Sequence, residues 1–146
     1  MEVRHIATIE ELGKEAARFA LSLSLREGEA TLVTLSGELG AGKTAFTQAV
    51  AKALGVTEPV TSPTFVLEKI YPLAPSMAFE RLVHIDAYRL ETDDSLAALG
   101  FAERMTDPKN LILFEWPEQV ADALPEPAVH ISFEILPDES REITYE

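Results

Sequence analysis

Gly37-Glu38-Leu39-Gly40-Ala41-Gly42-Lys43-Thr44 matches the pattern G-x-x-x-x-G-K-[ST] at every fixed position. The apolar run Thr31–Leu35 precedes it and predicts a strand, while the apolar spacing in Lys43–Leu54 predicts a helix that ends at Gly55. A strand, a glycine loop and a helix in this order form the setting in which the pattern binds phosphate groups. This stretch therefore predicts an α/β fold with a nucleotide site at the N-terminus of the helix.

Each residue type in this segment has a chemical reason to be there. Glycines let backbone N–H groups turn toward an anion, and the helix N-terminus adds its positive dipole end. Lys43 is expected to contact the β and γ phosphates, and the Thr44 hydroxyl is expected to bind Mg²⁺. The alternative is a flexible glycine turn before an ordinary helix. The backbone around the phosphates is expected to come from Glu38, Leu39, Gly40, Ala41 and Gly42.

Two further apolar runs, Leu82–Ile85 and Leu111–Phe114, predict buried strands, and a carboxylate follows each of them, Asp86 or Glu115. A phosphate-binding loop needs an acidic residue at the tip of a neighbouring strand to orient Mg²⁺ and to help activate the attacking water. Either carboxylate alone could instead cap a helix or lie at a solvated strand end. Two in one small chain favour a shared site, but their spacing leaves open which one contacts the metal.

Several residues near these runs have more than one interpretation. His84 lies inside a predicted strand and is expected to be a buried, hydrogen-bonded histidine rather than a catalytic one. Trp116 is expected to contribute to packing, with lining of the nucleotide pocket as the alternative. Thr61 and Ser62 lie in a loop that Pro59 and Pro63 bracket. These two residues and Thr64 could either donate to phosphate or cap the next element.

The rest of the chain predicts the layers around this site. Thr8-Ile9-Glu10-Glu11 has the form of a capping box and predicts the start of a helix. Val129–Leu136 alternates polar and apolar side chains and predicts an outer antiparallel strand. The alternation of strands and helices predicts a single domain over residues 1–146 with a three-layer α/β fold of the P-loop NTPase type, a mixed sheet and antiparallel C-terminal edge strands. Further strands are predicted at Phe65–Tyr71 and Arg141–Tyr145, and short helices at Asp94–Gly100, Ala102–Met105 and Glu118–Leu124.

Composition limits the classes of function. The chain has 146 residues, of which 25 are acidic and 12 basic, for a formal net charge of −13. A field of that sign repels nucleic acid phosphates, so strong direct binding to RNA or DNA is not expected. No apolar run reaches the roughly 20 residues of a membrane span, and there is no cysteine for disulfides or thiolate chemistry. These features predict a cytoplasmic protein that does not bind membranes.

Four motifs, in order along the chain, resemble those of a known family. They are the glycine loop Gly37–Thr44, then Thr61-Ser62-Pro63-Thr64-Phe65, then His84-Ile85-Asp86-Ala87-Tyr88-Arg89-Leu90, and finally Glu115-Trp116-Pro117-Glu118. Together they resemble the bacterial TsaE (YjeE) family, the ATPase component of the machinery that makes the threonylcarbamoyladenosine modification of tRNA. The resemblance implies ATP and Mg²⁺ as ligands. It also implies TsaB and TsaD as partner subunits, with ATP turnover that resets their complex between catalytic cycles.

The same resemblance implies roles for individual residues. Glu115 becomes the magnesium partner of Thr44, and Asp86 becomes the residue that orients the attacking water or is otherwise linked to hydrolysis. Thr64 resembles a switch threonine near the γ-phosphate. Arg141 resembles an arginine that lies near the nucleotide base in relatives. In this interpretation the protein does not itself transfer the threonylcarbamoyl group.

Three other functions remain open for such a chain. A small-molecule kinase usually needs an arginine-rich lid, and the arginines of this sequence form no cluster. A regulatory GTPase would carry an N-K-x-D segment to read guanine, which the sequence lacks. A non-enzymatic nucleotide sensor would bind ATP without turnover. No arginine finger is predicted in the vicinity of the loop, so hydrolysis is expected to be slow in the isolated chain and faster with a partner that supplies such a finger.

Overall fold

The fold is built on a sheet that has seven strands in the part of the chain that the structure describes. The structure is a computed structural model, and it describes residues 1–38, 40–60, 68–90 and 100–146. None of the helices in these ranges is long and apolar enough to cross a membrane. The strands are β1 (Glu2–Ile6), β2 (Thr31–Ser36), β3 (Glu68–Pro72), β4 (Arg81–Asp86), β5 (Asn110–Glu115), β6 (Val129–Ile135) and β7 (Arg141–Tyr145). The helices are α1 (Ile9–Ser22), α2 (Lys43–Ala53), α3 (Phe101–Met105) and a 3-10 helix at Pro117–Ala123.

The strand order across the sheet is β1-β7-β6-β2-β5-β4-β3. The central strands β6, β2, β5 and β4 run parallel. At one edge β3 pairs antiparallel with β4, and at the other β7 and β1 extend the sheet in antiparallel fashion. The carboxyl ends of β2, β4 and β5 therefore meet at one end of the sheet, which is where open α/β sheets bind their ligands.

Apolar side chains cover both faces of the sheet. On one face α2 contributes Phe46 to a buried cluster that includes Leu113 of β5 and also contains residues of α1. On the other face Phe101 of α3 and Val120 of the 3-10 helix belong to a second cluster with Phe114. Because Leu113 and Phe114 are successive in β5, they point to opposite faces. The result is the predicted three-layer α/β fold with a mixed sheet.

The predicted helix at the N-terminus is present and starts at its predicted cap. The Thr8 hydroxyl accepts a hydrogen bond from the Glu11 N–H at 3.1 Å, and the Glu11 carboxylate reaches back to accept from the Ala7 N–H at 2.8 Å. The first bond satisfies a donor that the first turn of the helix leaves unpaired, and the second ties the residue before the cap to that turn. The cap therefore fixes where α1 begins, next to the glycine loop.

The strand predicted at Phe65–Tyr71 and the other predicted helices agree with the structure wherever it describes them. The strand predicted at Phe65–Tyr71 is described from Glu68 onward as β3, and the helix predicted at Glu118–Leu124 is the 3-10 helix. The helix predicted at Ala102–Met105 is α3, with one more residue at its start. The helix predicted at Asp94–Gly100 lies outside the described residues up to its last position.

The C-terminal part of the sheet differs from the prediction in one respect. β6 is not an outer antiparallel strand, because it pairs parallel with β2, with Val129 opposite Val33, and antiparallel only with β7. The outer strand on this side is β1, which no sequence pattern predicted. Four of its five residues are exposed, and only Ile6 is buried. A strand that buries so little has no alternation of apolar side chains by which it could be found.

Candidate functional site

The glycine loop leaves β2 at Ser36 and ends at Lys43, where α2 starts. Gly37 has φ 153°, and a Cβ atom there would lie 2.7 Å from the carbonyl oxygen of Phe133 in β6. Gly42 forms the N-cap of α2 with φ 111°, a backbone conformation that favours glycine. The glycines therefore allow both a close approach to β6 and the turn into the helix. The N-terminus of this 11-residue helix offers unpaired N–H groups to an anion.

Lys43 holds a positive charge at this loop. Its side chain is buried, and its ammonium group donates to the carbonyl oxygens of Gly37 and of Glu38, the latter at 3.2 Å. The nitrogen also lies 4.0 Å from the centroid of the Trp116 ring. Burial lowers the pKa of Lys43, although nearby carboxylates, Glu115 foremost, act in the opposite direction. The acidic surroundings thus help to keep a cation at the site.

Asp86 and Glu115 lie at the tips of neighbouring parallel strands, directly opposite each other in the register of β4 and β5. Glu115 is also opposite Leu35 of β2, so three strand ends meet beside the loop. Both carboxylates are buried, with 6% and 2% exposure respectively. Asp86 Oδ1 accepts a hydrogen bond from the Tyr88 N–H at 3.0 Å, which orders the turn after β4. The structure therefore brings together the two carboxylates that the sequence proposed for one site.

Glu115 has a buried hydrogen-bond partner in His84. The distance between His84 Nε2 and Glu115 Oε2 is 2.5 Å, and the histidine side chain has no exposed surface. A buried and hydrogen-bonded histidine is what the sequence predicted. Its partner is one of the predicted site residues, which the sequence alone did not reveal.

Trp116 packs and also lines the site, so both interpretations of this residue apply. Its ring lies 4.8 Å from the ring of Tyr88 and contacts the second buried cluster. Its backbone has φ 62°, which is uncommon for a bulky residue, and its N–H donates to the carbonyl of Leu35 at 3.2 Å.

Arg89 lines the same cavity as Trp116. The sequence predicted no arginine finger in the vicinity of the loop, and the turn after β4 places Arg89 at the cavity beside it.

These side chains surround a cavity of about 420 Å³. The hydroxyl and carboxylate oxygens of its lining suit Mg²⁺ as ligands. In nucleotide sites this ion binds one or two carboxylates and completes its coordination shell with phosphate oxygens and water. Within the described ranges, no three His, Asp or Glu side chains are grouped as ligands of one metal ion. The cavity is lined by Gly40, Gly42, Lys43, Thr44, Ala45, Asp86, Tyr88, Arg89, Glu115 and Trp116.

A second cavity of about 280 Å³ adjoins the same loop and shares Gly40 and Gly42 with the first. Its lining includes Leu12 of α1 and Arg141 of β7. The Arg141 guanidinium donates to the carbonyl of Gly40 at 3.3 Å and to the carbonyl of Glu139. Arg141 is thus next to the glycine loop, although 101 positions separate it from Gly40 in the sequence.

The remaining predicted site residues either belong to the glycine loop or lie outside the described residues. Glu38 is exposed and contributes its carbonyl oxygen to Lys43. Ala41 is buried, and its N–H donates to the carbonyl of Glu38 at 3.1 Å. Leu39 and Thr64, predicted to contact phosphate, lie outside the described residues. The same is true of the candidate phosphate donors Thr61 and Ser62.

Comparison with known proteins gives a consistent result. The family described as "Threonylcarbamoyl adenosine biosynthesis protein TsaE" matches residues 4–143. The tRNA threonylcarbamoyladenosine biosynthesis protein TsaE of Treponema pallidum is 37% identical over 131 residues, 90% of this chain and 93% of that protein. The protein of the same name from Streptomyces coelicolor is 41% identical over 117 residues, 80% of this chain and 72% of the relative. The crystal structure of Bacillus subtilis YdiB covers 99% of this chain and 83% of its own, with a TM-score of 0.77 and 28% identity. The chain therefore belongs to the TsaE family of tRNA threonylcarbamoyladenosine biosynthesis proteins.

Proposed function

We propose that this chain binds ATP with Mg²⁺ beside the glycine loop and hydrolyses the ATP slowly, in the cytoplasm, to support threonylcarbamoyladenosine modification of tRNA. The observation that carries the proposal is that Lys43, Thr44, Asp86 and Glu115 all line one cavity. Bound phosphates need a cation and N–H donors, while Mg²⁺ needs hydroxyl and carboxylate oxygens. This cavity supplies both kinds of group.

The side chains have separable tasks in such a reaction. Hydrolysis forms a bond between a water oxygen and the γ-phosphorus and breaks the bond to the β–γ bridging oxygen, so negative charge grows on the departing ADP. We assign Lys43 to neutralising charge on the β and γ phosphates. We assign Asp86 to orienting the attacking water. Mg²⁺, when bound, would be held by Thr44 and Glu115 and would add further charge neutralisation.

The second cavity is the natural place for the nucleoside end of ATP. It shares the loop glycines with the first cavity, so a ligand whose phosphates contact the loop can extend into it. Leu12 supplies apolar surface there, and Arg141 supplies a planar cation that can stack on a ring. In this proposal Arg141 lies next to the base of ATP, as the family resemblance implies.

We further propose TsaB and TsaD as partner subunits that accelerate the hydrolysis. The net charge of −13 argues against an RNA-binding surface on this chain. An ATPase that acts on partner proteins needs no such surface of its own. The acidic composition is therefore compatible with a role in tRNA modification that is exercised through other subunits.

The test is a reconstitution from purified components. The chain alone and the chain with TsaB and TsaD of the same organism are compared for ADP release and for modified tRNA. Lys43→Ala should abolish turnover, whereas Lys52→Ala, at the exposed last turn of α2, should leave it intact. A Lys43→Ala variant that hydrolyses ATP at the normal rate would refute the proposed site. Partners that change neither rate nor modification would refute the proposed partnership.

The same assay separates hydrolysis from a kinase reaction. A hydrolase releases one inorganic phosphate for each ADP, whereas a small-molecule kinase transfers the phosphoryl group to a hydroxyl of a metabolite. Supplying hydroxyl-bearing metabolites should therefore leave phosphate release equal to ADP release. ADP formed together with an equal amount of phosphorylated metabolite would replace the ATPase assignment with the kinase.

A further inference from the structure

We propose that His84 is a positioning residue, which holds the Glu115 carboxylate in the orientation that Mg²⁺·nucleotide binding requires. The inference rests on the proposed function, since it concerns the carboxylate assigned to the metal. The hydrogen bond from His84 Nε2 to Glu115 Oε2, at 2.5 Å between two buried side chains, carries it.

The fold determines this contact. Glu115 stands opposite Asp86 in the register of the two parallel strands, and Leu113 stands opposite His84. Side chains two positions apart in a strand point to the same face, so His84 and Glu115 lie on one face of the sheet, diagonally across neighbouring strands. The histidine thus lies two residues further from the carboxyl end of the strands than the carboxylates that line the cavity. It can support the site without being reached by a ligand.

Packing alone does not explain why a polar side chain occupies the position of His84. Its second ring nitrogen, Nδ1, is buried and has no hydrogen-bond partner among the described residues. A buried polar atom without a partner destabilises the folded state, because it has lost its hydrogen bonds to water. An apolar side chain of similar size would fill the same space without that cost. The feature that distinguishes His84 from such a side chain is the donor that it offers to Glu115.

Holding Glu115 has a consequence for the cavity. With Oε2 bound to His84, the second carboxylate oxygen is the one left for a ligand of the site. Lys43 is the competing partner, because Glu115 is the carboxylate whose charge acts most strongly on that ammonium group. A carboxylate released from His84 would rotate toward Lys43 and turn its free oxygen away from the position that a metal ion would take, while Lys43 would stay available to the phosphates. Outer partners that orient a ligand in this way typically contribute 10- to 100-fold to metal affinity.

The experiment measures the affinity of a non-hydrolysable ATP analogue by calorimetry, once with Mg²⁺ and once with EDTA. His84→Leu should weaken binding roughly 10- to 100-fold in Mg²⁺ and leave binding in EDTA unchanged. His84→Gln places an amide donor near the former Nε2 and should restore much of the loss, whereas the shorter His84→Asn should not. His130→Leu is the matched control, because His130 also lies in a central strand and makes one side-chain hydrogen bond, to Thr34 at 2.7 Å.

A double-mutant cycle shows whether His84 acts through Glu115. In a Glu115→Gln background, His84→Leu should cause no further loss of Mg²⁺-dependent affinity. Equal losses in Mg²⁺ and in EDTA, or equal behaviour of the Gln and Asn variants, would overturn the positioning role. If His84→Leu does not fold, the comparison of Gln with Asn decides the matter alone. An unmodified chain that binds the analogue equally well with and without Mg²⁺ would instead overturn the proposed metal site itself.

Discussion

The indole ring of Trp116 lies over the ammonium group of Lys43, with 4.0 Å between Nζ and the ring centroid. This is the geometry of a cation–π contact. Trp116 is the only tryptophan in the chain. Phosphates that bind Lys43 would place negative charge next to this ring. We therefore expect ATP to change the intrinsic tryptophan fluorescence in a saturable manner, measured by titration at fixed excitation.

Two variants serve as controls for this fluorescence prediction. Trp116→Phe keeps an aromatic ring over Lys43 and should bind nucleotide while losing the signal. Lys43→Ala should keep the fluorophore and lose the nucleotide-dependent change. If calorimetry shows full occupancy and the emission of Trp116 stays constant, the bound phosphates do not lie next to this ring.

The two buried carboxylates are expected to respond differently to isosteric amide substitution. Glu115→Gln should weaken Mg²⁺-dependent nucleotide binding roughly 10-fold or more, because it removes a charged ligand of the metal. Asp86→Asn keeps the oxygen that accepts from the Tyr88 N–H, so the turn should persist and binding should change little. Turnover should nevertheless fall by roughly 100-fold or more, as expected for loss of a group that acts on the attacking water. Single-turnover kinetics and calorimetry measure the two effects separately, and equal losses of binding would contradict the division of roles.

The parts of the fold that could be predicted have local signals in the sequence. The glycine loop combines a fixed spacing with an apolar strand before it and a helix after it. Asp86 and Glu115 each follow a short apolar run, and parallel strands place such residues at the same end of a sheet. The capping box at Thr8 gives the start of α1 to the residue, since it depends only on neighbouring positions.

The parts that could not be predicted depend on contacts between distant positions. The bond between His84 and Glu115 requires that β4 and β5 be neighbours in one particular register, which no local pattern specifies. Only the family resemblance suggested a place for Arg141 near the nucleotide, because its contact with Gly40 spans 101 positions. The prediction of β6 as an edge strand is wrong. The exposed strand β1, which forms the edge on that side, has no apolar periodicity by which the sequence could indicate it.

Gly37 and Gly13 form a matched pair for a test of the loop. A Cβ atom at Gly37 would lie 2.7 Å from the Phe133 carbonyl oxygen, whereas one at Gly13, inside α1, would meet nothing within 4 Å. Gly37→Ala should therefore destabilise the fold by about 1–3 kcal/mol. Gly13→Ala should stabilise it by about 0.5–1 kcal/mol, because alanine loses less backbone entropy in a helix. Urea denaturation measures both, and a neutral Gly37→Ala would mean that the loop does not need to approach β6.

Glu15 of α1 accepts a hydrogen bond from the Tyr145 hydroxyl of β7 at 2.6 Å and pairs with Arg18. Burial alone would raise the pKa of Glu15, but the hydrogen bonds from Arg18 and Tyr145 and the charge of Arg18 lower it overall. A carboxyl whose pKa is lower in the folded chain stabilises the fold above its ordinary pKa of 4.5. That contribution is lost as the pH falls through the lowered value.

Tyr145→Phe should therefore cost about 1.5–3 kcal/mol at pH 7, the usual range for a hydrogen bond to a charged group. The difference from the unmodified chain should narrow as the pH falls well below 4.5, because protonation removes the charge of the acceptor. Tyr71→Phe is the control, since the Tyr71 hydroxyl is buried and has no hydrogen-bond partner among the described residues. Its removal should leave stability unchanged or raise it, with no dependence on pH. Urea denaturation from pH 3 to pH 7 compares the three proteins, and a Tyr145→Phe deficit that stays constant across this range would show that the ionised Glu15 is not the acceptor.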